Sequence, residues 1–181
     1  PYATSNILGE QAVMKRHSTT GMQTFIVRLS NSFGVPMNVD SNCWMLVLND
    51  FCRQAATDRQ LVIRSPSETL RNFITLTDVC LAIDYLVSLR GTSMRSTICN
   101  LGDKTRSLLD MASTISEIYE REKGISLPIL LLSKDSNPNS HLDFRSIFFQ
   151  RHNWQPKSNF KVELSELVSY CETHFGTSFE K

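Results

Sequence analysis

The chain is predicted to be an α/β protein with a largely parallel sheet, and three observations predict it. Short runs rich in apolar and β-branched residues recur at 22–29, 61–64, 96–100 and 127–132. Between them stand longer stretches whose apolar residues repeat at helical spacing. Gly, Pro, Asn and Ser mark the joints. Strand and helix patterns that alternate in this way argue for strands joined by helical crossovers.

Residues 2–18 read as a helix that ends before Gly21, with Ile7, Leu8, Gln11 and Ala12 close together on the wheel. Residues 22–29, MQTFIVRL, are a strand, and the Gly34 and Pro36 punctuation makes 30–36 a loop. Leu48, Phe51, Cys52 and Ala55 stripe a helix over 42–56. A short strand follows at 61–64, then a Ser/Pro turn. Thr75 and Asp78 have capping-box spacing at a helix over 77–89, whose buried stripe is Val79, Ala82, Ile83 and Leu86. Residues 96–100 form the next strand, closed by Gly102.

Ser107 and Asp110 repeat that spacing ahead of the clearest amphipathic helix, striped by Leu108, Met111, Ala112, Ile115, Ile118 and Tyr119. The pure apolar run 127–132 reads as a buried strand, and 134–140 as a polar loop. A short helix over 142–149 ends at Trp154-Gln155-Pro156. Leu164, Leu167, Val168, Cys171 and Phe175 line a last helix.

Composition narrows the function. With 181 residues, 41% of them hydrophobic and 20% charged, the chain can bury the core of one ordinary domain. A net charge of +1 gives no footprint for nucleic acid or an anionic membrane. No apolar run approaches the ~20 residues that span a bilayer. The five cysteines include no Cys-x-x-Cys pair and mostly sit among apolar residues, so buried free thiols are expected. With no signal peptide, they point to a cytoplasmic protein. His17, His141, His152 and His174 lie in polar company without metal-ligand spacing and read as surface residues.

Five segments carry a family resemblance. The N-terminus, Pro1-Tyr2-Ala3-Thr4-Ser5-Asn6 with Glu10 beyond it, resembles the Pro-Tyr-x-x-Ser-Lys-x-x-x-Glu helix of the extended short-chain dehydrogenase/reductases, the NAD-dependent epimerases and dehydratases. Asn6 stands at the lysine position. Arg28-Leu29-Ser30-Asn31-Ser32-Phe33-Gly34 is similar to their Arg-x-x-Asn-x-Tyr-Gly-Pro segment, with Val35 inserted before Pro36. Arg71-Asn72-Phe73 through Asp78-Val79 is similar to Arg-Asp-Phe-x-x-Val-x-Asp-Val. Asn100-Leu101-Gly102 resembles the Asn-x-Gly strand end, and Asn153-Trp154-Gln155-Pro156 the Gly-Trp-x-Pro stretch near the family's C-terminus. The segments follow in family order over nearly the whole chain.

The resemblance implies the C-terminal portion of an extended Rossmann-like fold, an incomplete parallel sheet with a small substrate-binding subdomain. The glycine-rich phosphate loop is not in this sequence. It also implies a nucleotide-sugar substrate, NAD or NADP as cofactor, and epimerase, dehydratase or reductase chemistry, and it allows a homodimer in the full-length form. A parallel sheet without its first strands exposes an edge, so residues 1–181 alone are expected to be poorly soluble or partly disordered.

Roles follow by position. Tyr2 is the candidate acid/base that exchanges a sugar hydroxyl proton, with Asn6 beside it on the same helix face. A free phenol titrates near ~10, and the family lysine favours its ionised form. Asn6 could bond a cofactor ribose but brings no charge. Tyr2, Asn6 and Leu29 are the cofactor-binding candidates; Asn31, Leu61, Val62, Arg64 and Arg71 are the substrate-binding ones. Arg71 suits the pyrophosphate because a guanidinium fork pairs with phosphate oxygens. Trp44 and Met45 lie on an apolar helix face or wall the same pocket, and Asp78 caps its helix. Asn6 leaves a second reading open, a non-catalytic member that binds a nucleotide sugar or a protein. A third is a purely structural module.

Overall fold

The computed structural model describes residues 2–89, 97–133 and 141–176. Pro1, the first residue of the strand expected from 96, and the polar loop expected at 134–140 fall outside them. Helix α1(Tyr2–Thr20) leads into strand β1(Phe25–Leu29) through Gly21, whose φ of 69° closes the helix in the left-handed region that glycine enters freely. β1 starts three positions later than predicted. Its partner β5(Thr97–Leu101) runs parallel to it, with Phe25 opposite Thr97 and Leu29 opposite Leu101.

Among the described residues two more small sheets complete the β structure. In one, β2(Asn31–Phe33) lies parallel to β4(Leu70–Thr75), and β6(Lys104–Ser107) pairs antiparallel on the other edge of β4. In the other, β3(Leu61–Ile63) and β7(Ile129–Leu131) are parallel. β2 corrects the loop predicted over 30–36: three residues between Ser30 and Gly34 are too few for a hydrophobic period to register. β6 was not anticipated, because its sequence, KTRS, is polar and its pairing is set by the backbone ladder.

The helices are α2(Val47–Asp58), α3(Leu76–Ser88), α4(Leu108–Lys123), α5(Ile147–Arg151) and α6(Phe160–Phe175). α4 has the full capping box, with Ser107 Oγ accepting from the Asp110 amide and the Asp110 carboxylate accepting from the Ser107 amide. All six residues of its predicted stripe are buried. α2 starts later than expected. Trp44 sits in the turns before it, not on a helix face; its Nε1 donates to Val39 O at 2.8 Å, and its ring stacks on Tyr170 and meets Phe175 edge-on. Met45 is exposed. α5 covers only the end of the helix expected over 142–149.

Two apolar cores result. The larger packs α2, α4 and α6 around β3 and the Phe33 and Phe73 rings. The smaller joins α3, β5 and α5 through Ile74, Val79, Leu101 and Phe149. Two burial expectations fail. Ile83 is half-exposed because it faces a hollow of about 670 Å³ beside β1, while Val79, Ala82 and Leu86 are buried. In the run 127–132 only Leu127 is buried; β7 is the edge of a two-stranded sheet and leaves Leu130, Leu131 and Leu132 open. Cys52, Cys99 and Cys171 are buried free thiols, Cys43 is half-buried and Cys80 exposed. Burial pushes the Cys99 thiol up to about 11 and Cys171 to about 12, so both stay protonated at neutral pH. Among the described residues no helix is long and apolar enough to cross a membrane.

Candidate functional site

The register of β2 on β4 opens the site. Asn31 pairs with Phe73, so Leu70, Arg71 and Asn72 project past the start of β2 with one flank uncovered. That flank walls a hollow of about 360 Å³, closed by Ser30 and Asn31 on one side and by Leu142 and Phe144 on another. Asn31 holds the junction, its Nδ2 donating to Asn72 O at 2.9 Å. Arg71 lines the hollow with an exposed guanidinium. Two candidates from sequence segments far apart, Asn31 and Arg71, therefore meet here.

The back of this hollow depends on Gly102. A Cβ there would lie 2.0 Å from Asn72 Oδ1, 2.5 Å from Phe144 Cε1 and 2.9 Å from Ser30 Oγ. Ser146 Oγ bridges the glycine, accepting from Gly102 N and donating to Gly102 O. Asn72 is buried and donates through Nδ2 to Thr105 Oγ1 at 3.1 Å, but its Oδ1 and the Ser30 Oγ are buried with no partner among the described residues. Unpaired buried polar atoms are costly, and their clustering at a hollow fits a place where a ligand or water completes the bonding. Ser30, Asn72, Phe144 and Ser146 escaped the sequence reading; the signal available was a glycine at a strand end, which implies close neighbours.

Tyr2 and Asn6 lie one turn apart on α1, both exposed, Tyr2 at 83%. Ser5 Oγ donates to Tyr2 O at 2.8 Å. No α1 residue is buried; the helix is tied to β1 by Glu10, whose carboxylate accepts two bonds from Arg28, at 2.8 and 2.7 Å. That ion pair lowers the Glu10 pKa and raises that of Arg28, through hydrogen bonding first. Leu29 is half-exposed at the C-terminal end of β1.

The other candidates sit elsewhere. The Leu61 side chain is sealed in the main core, where it packs rather than faces a ligand. Val62 N donates to Gln54 Oε1 at 2.7 Å, and Arg64 lies 3.6 Å from Asp50, so this strand is bound to α2. None of the three lines the hollow of Asn31 and Arg71.

Asp78 does more than cap. Thr75 Oγ1 accepts from the Asp78 amide, as expected of an N-cap. The buried carboxylate itself accepts from Lys157 N (2.8 Å), Ser158 N (3.1 Å), Ser158 Oγ (2.5 Å) and Thr75 Oγ1 (2.9 Å). Burial alone would raise its pKa, but these bonds together hold it below the usual value. They join the start of α3 to the tail from Asn153 to Ser158, which opens on another of the family-like segments. In that tail Asn153 has φ of 54° and stands where the resembled stretch has glycine; asparagine tolerates the left-handed region better than most residues. Trp154 packs on Phe149 and Tyr85. Among the described residues no group of acidic, His or Cys side chains could hold a metal.

Comparison with known proteins extends these local likenesses. The model of the NAD dependent epimerase/dehydratase family matches residues 1–102. No curated protein sequence matches the chain. Among solved structures, RMD from Pseudomonas aeruginosa complexed with NADPH superposes with a TM-score of 0.74 at 18% identity, over 96% of this chain and 55% of its own. UDP-glucuronic acid 4-epimerase from Bacillus cereus, in complex with UDP-glucuronic acid and NAD, gives 0.72 at 19% identity over 96% and 52%. UDP-N-acetylglucosamine 4-epimerase from Methanobrevibacter ruminantium gives 0.71 at 20% identity over 94% and 53%. These likenesses are of fold, and the chain spans about half the length of each structure.

Proposed function

Because the chain belongs to the NAD-dependent epimerase/dehydratase family, we propose that it is the substrate-binding and catalytic-helix portion of an NAD(P)-dependent enzyme that epimerises, dehydrates or reduces a nucleotide sugar. The observation that carries this reading is the hollow shared by Asn31 and Arg71, with two unpartnered buried oxygens behind it. Its size is within the range of small-molecule sites. Solved proteins of like fold hold NADPH, or NAD with UDP-glucuronic acid, which supports the same ligand class here.

The residues present fit one end of the cofactor. Tyr2 and Asn6 offer a phenol and an amide on one helix face, neither engaged among the described residues. A nicotinamide bound there would exchange hydride with a sugar carbon. The work of this chain is then to place the sugar and move its proton. Arg71 pairs with the diphosphate, and its donors suit phosphate oxygens two at a time. Tyr2 gives or takes the hydroxyl proton at the carbon that is oxidised or reduced. Asn6 donates to a ribose hydroxyl and leaves the phenol without the neighbouring cation that favours its ionised form. Val62 and Arg64 are the residues of this chain proposed to meet the nucleotide base. A cytoplasmic location and a homodimer of the full-length protein complete the proposal.

Asn6 is also the observation that favours a second reading, a non-catalytic member that keeps the nucleotide-sugar site. The test is NAD(P)-dependent turnover of nucleotide sugars by the full-length protein with and without Asn6→Lys. Comparable turnover by both supports the enzyme reading. Turnover only after the substitution supports the non-catalytic one, and failure of both proteins to bind any nucleotide sugar overturns both.

A further inference from the structure

We propose that Arg106 completes, with Arg71, a two-arginine clamp for a diphosphate. The register of β4 on β6 sets the two residues directly opposite each other. Opposed residues of an antiparallel pair project to one face with Cβ atoms about 5 Å apart, and like charges so placed repel. Both side chains are exposed. Among the described residues the Arg71 guanidinium has no hydrogen-bond or ion-pair partner, and Arg106 makes a single long bond, Nη1 to Thr105 O at 3.3 Å.

The neighbouring charges leave the pair available. Lys104, two residues along the same face, is turned onto the Phe160 ring, 5.3 Å from its centroid. Asp103 feels Lys104 and Arg106 through space but forms no ion pair with either. Nothing in the described structure neutralises two guanidinium groups held side by side. A ligand with two linked phosphates would do so, one fork gripping each. Arg71 already lines the hollow behind Asn31, and Arg106 stands next to it on the side of β4 away from β2. The clamp would therefore lie along the rim, with the remainder of the ligand reaching inward. The natural ligand, a nucleoside diphosphate sugar, rests on the reading above; the clamp's geometry does not.

The test is calorimetric titration of the full-length protein, and of its Arg106→Gln, Arg106→Lys and Arg71→Gln variants, with inorganic pyrophosphate and orthophosphate. Wild type is expected to bind pyrophosphate about tenfold or more tightly than orthophosphate. Each Gln variant should lose roughly tenfold for pyrophosphate and most of that preference, with Arg106→Lys recovering only part. Without anion, Arg106→Gln should melt at or above the wild-type temperature, because a like-charge contact is gone. Unchanged pyrophosphate affinity in Arg106→Gln overturns the clamp, as does a wild type that cannot distinguish the two anions. UDP-, dTDP- and GDP-sugars separate the two levels of the proposal. If they bind no better than pyrophosphate while both arginines matter, the clamp stands and the nucleotide-sugar reading falls. If one binds tightly and Arg106→Gln does not weaken it, the reading stands and the clamp falls.

Discussion

Gly102→Ala is the sharpest probe of the site, because the added methyl group has nowhere to go. It would meet Asn72 Oδ1 at 2.0 Å, far inside contact distance. The Phe144 ring, 2.5 Å away and half-buried, can swing aside at modest cost. Asn72 cannot move as freely: its amide is bonded to Thr105 Oγ1 and its carbonyl holds the Asn31 side chain. Overpacking of this kind costs about 1–3 kcal/mol, and loss of the Asn72–Thr105 bond adds about 1 kcal/mol. A destabilisation of about 2–4 kcal/mol follows, which at an m-value of about 2–3 kcal/mol/M lowers the urea midpoint by roughly 1 M. Trp44 and Trp154 sit in different cores and report the transition by fluorescence. Asn72→Ala removes the offending oxygen, so the double variant should be less destabilised than the sum of the two singles by more than about 0.5 kcal/mol. A Gly102→Ala protein within about 0.5 kcal/mol of wild type, or strict additivity in the double variant, would refute this account of the site.

Three further outcomes are expected. Asp78→Asn should cost about 2–4 kcal/mol at pH 7, since it removes the charge that four donors converge on. The folded pKa of Asp78 is depressed, so its contribution is complete above the unfolded value near ~3.9 and is lost as pH falls through the folded one; urea titrations of both proteins should converge in acid. Tyr119→Phe deletes the 2.6 Å bond from a fully buried hydroxyl to Glu172, which Arg59 also holds, and should cost about 1–2 kcal/mol in the same assay. Asn153→Val forces a β-branched residue into positive φ and should lower the melting point, whereas Asn153→Gly should not.

The sequence was most legible where one periodicity served one core. α4 could be read to the residue because its stripe and its capping box agree. Legibility failed where tertiary pairing overrode local pattern. β6 is polar and β2 is three residues long, and neither has a hydrophobic period to detect. The apolar run at 127–132 promised burial, yet burial depends on how many strands flank β7, which no local window contains. At the site, Asn31 and Arg71 were visible as motif residues. The oxygens of Ser30 and Asn72 were not, because their importance arises only from Gly102 coming between them.

Helix α1 has a kinetic meaning beyond its composition. It carries the tyrosine and buries none of its residues, and the Arg28–Glu10 pair that ties it to β1 is exposed and screened by salt. Segments with so few packed contacts open locally at little cost. The amides of α1 should therefore exchange with solvent sooner than those of α4, whose apolar stripe is sealed in the core.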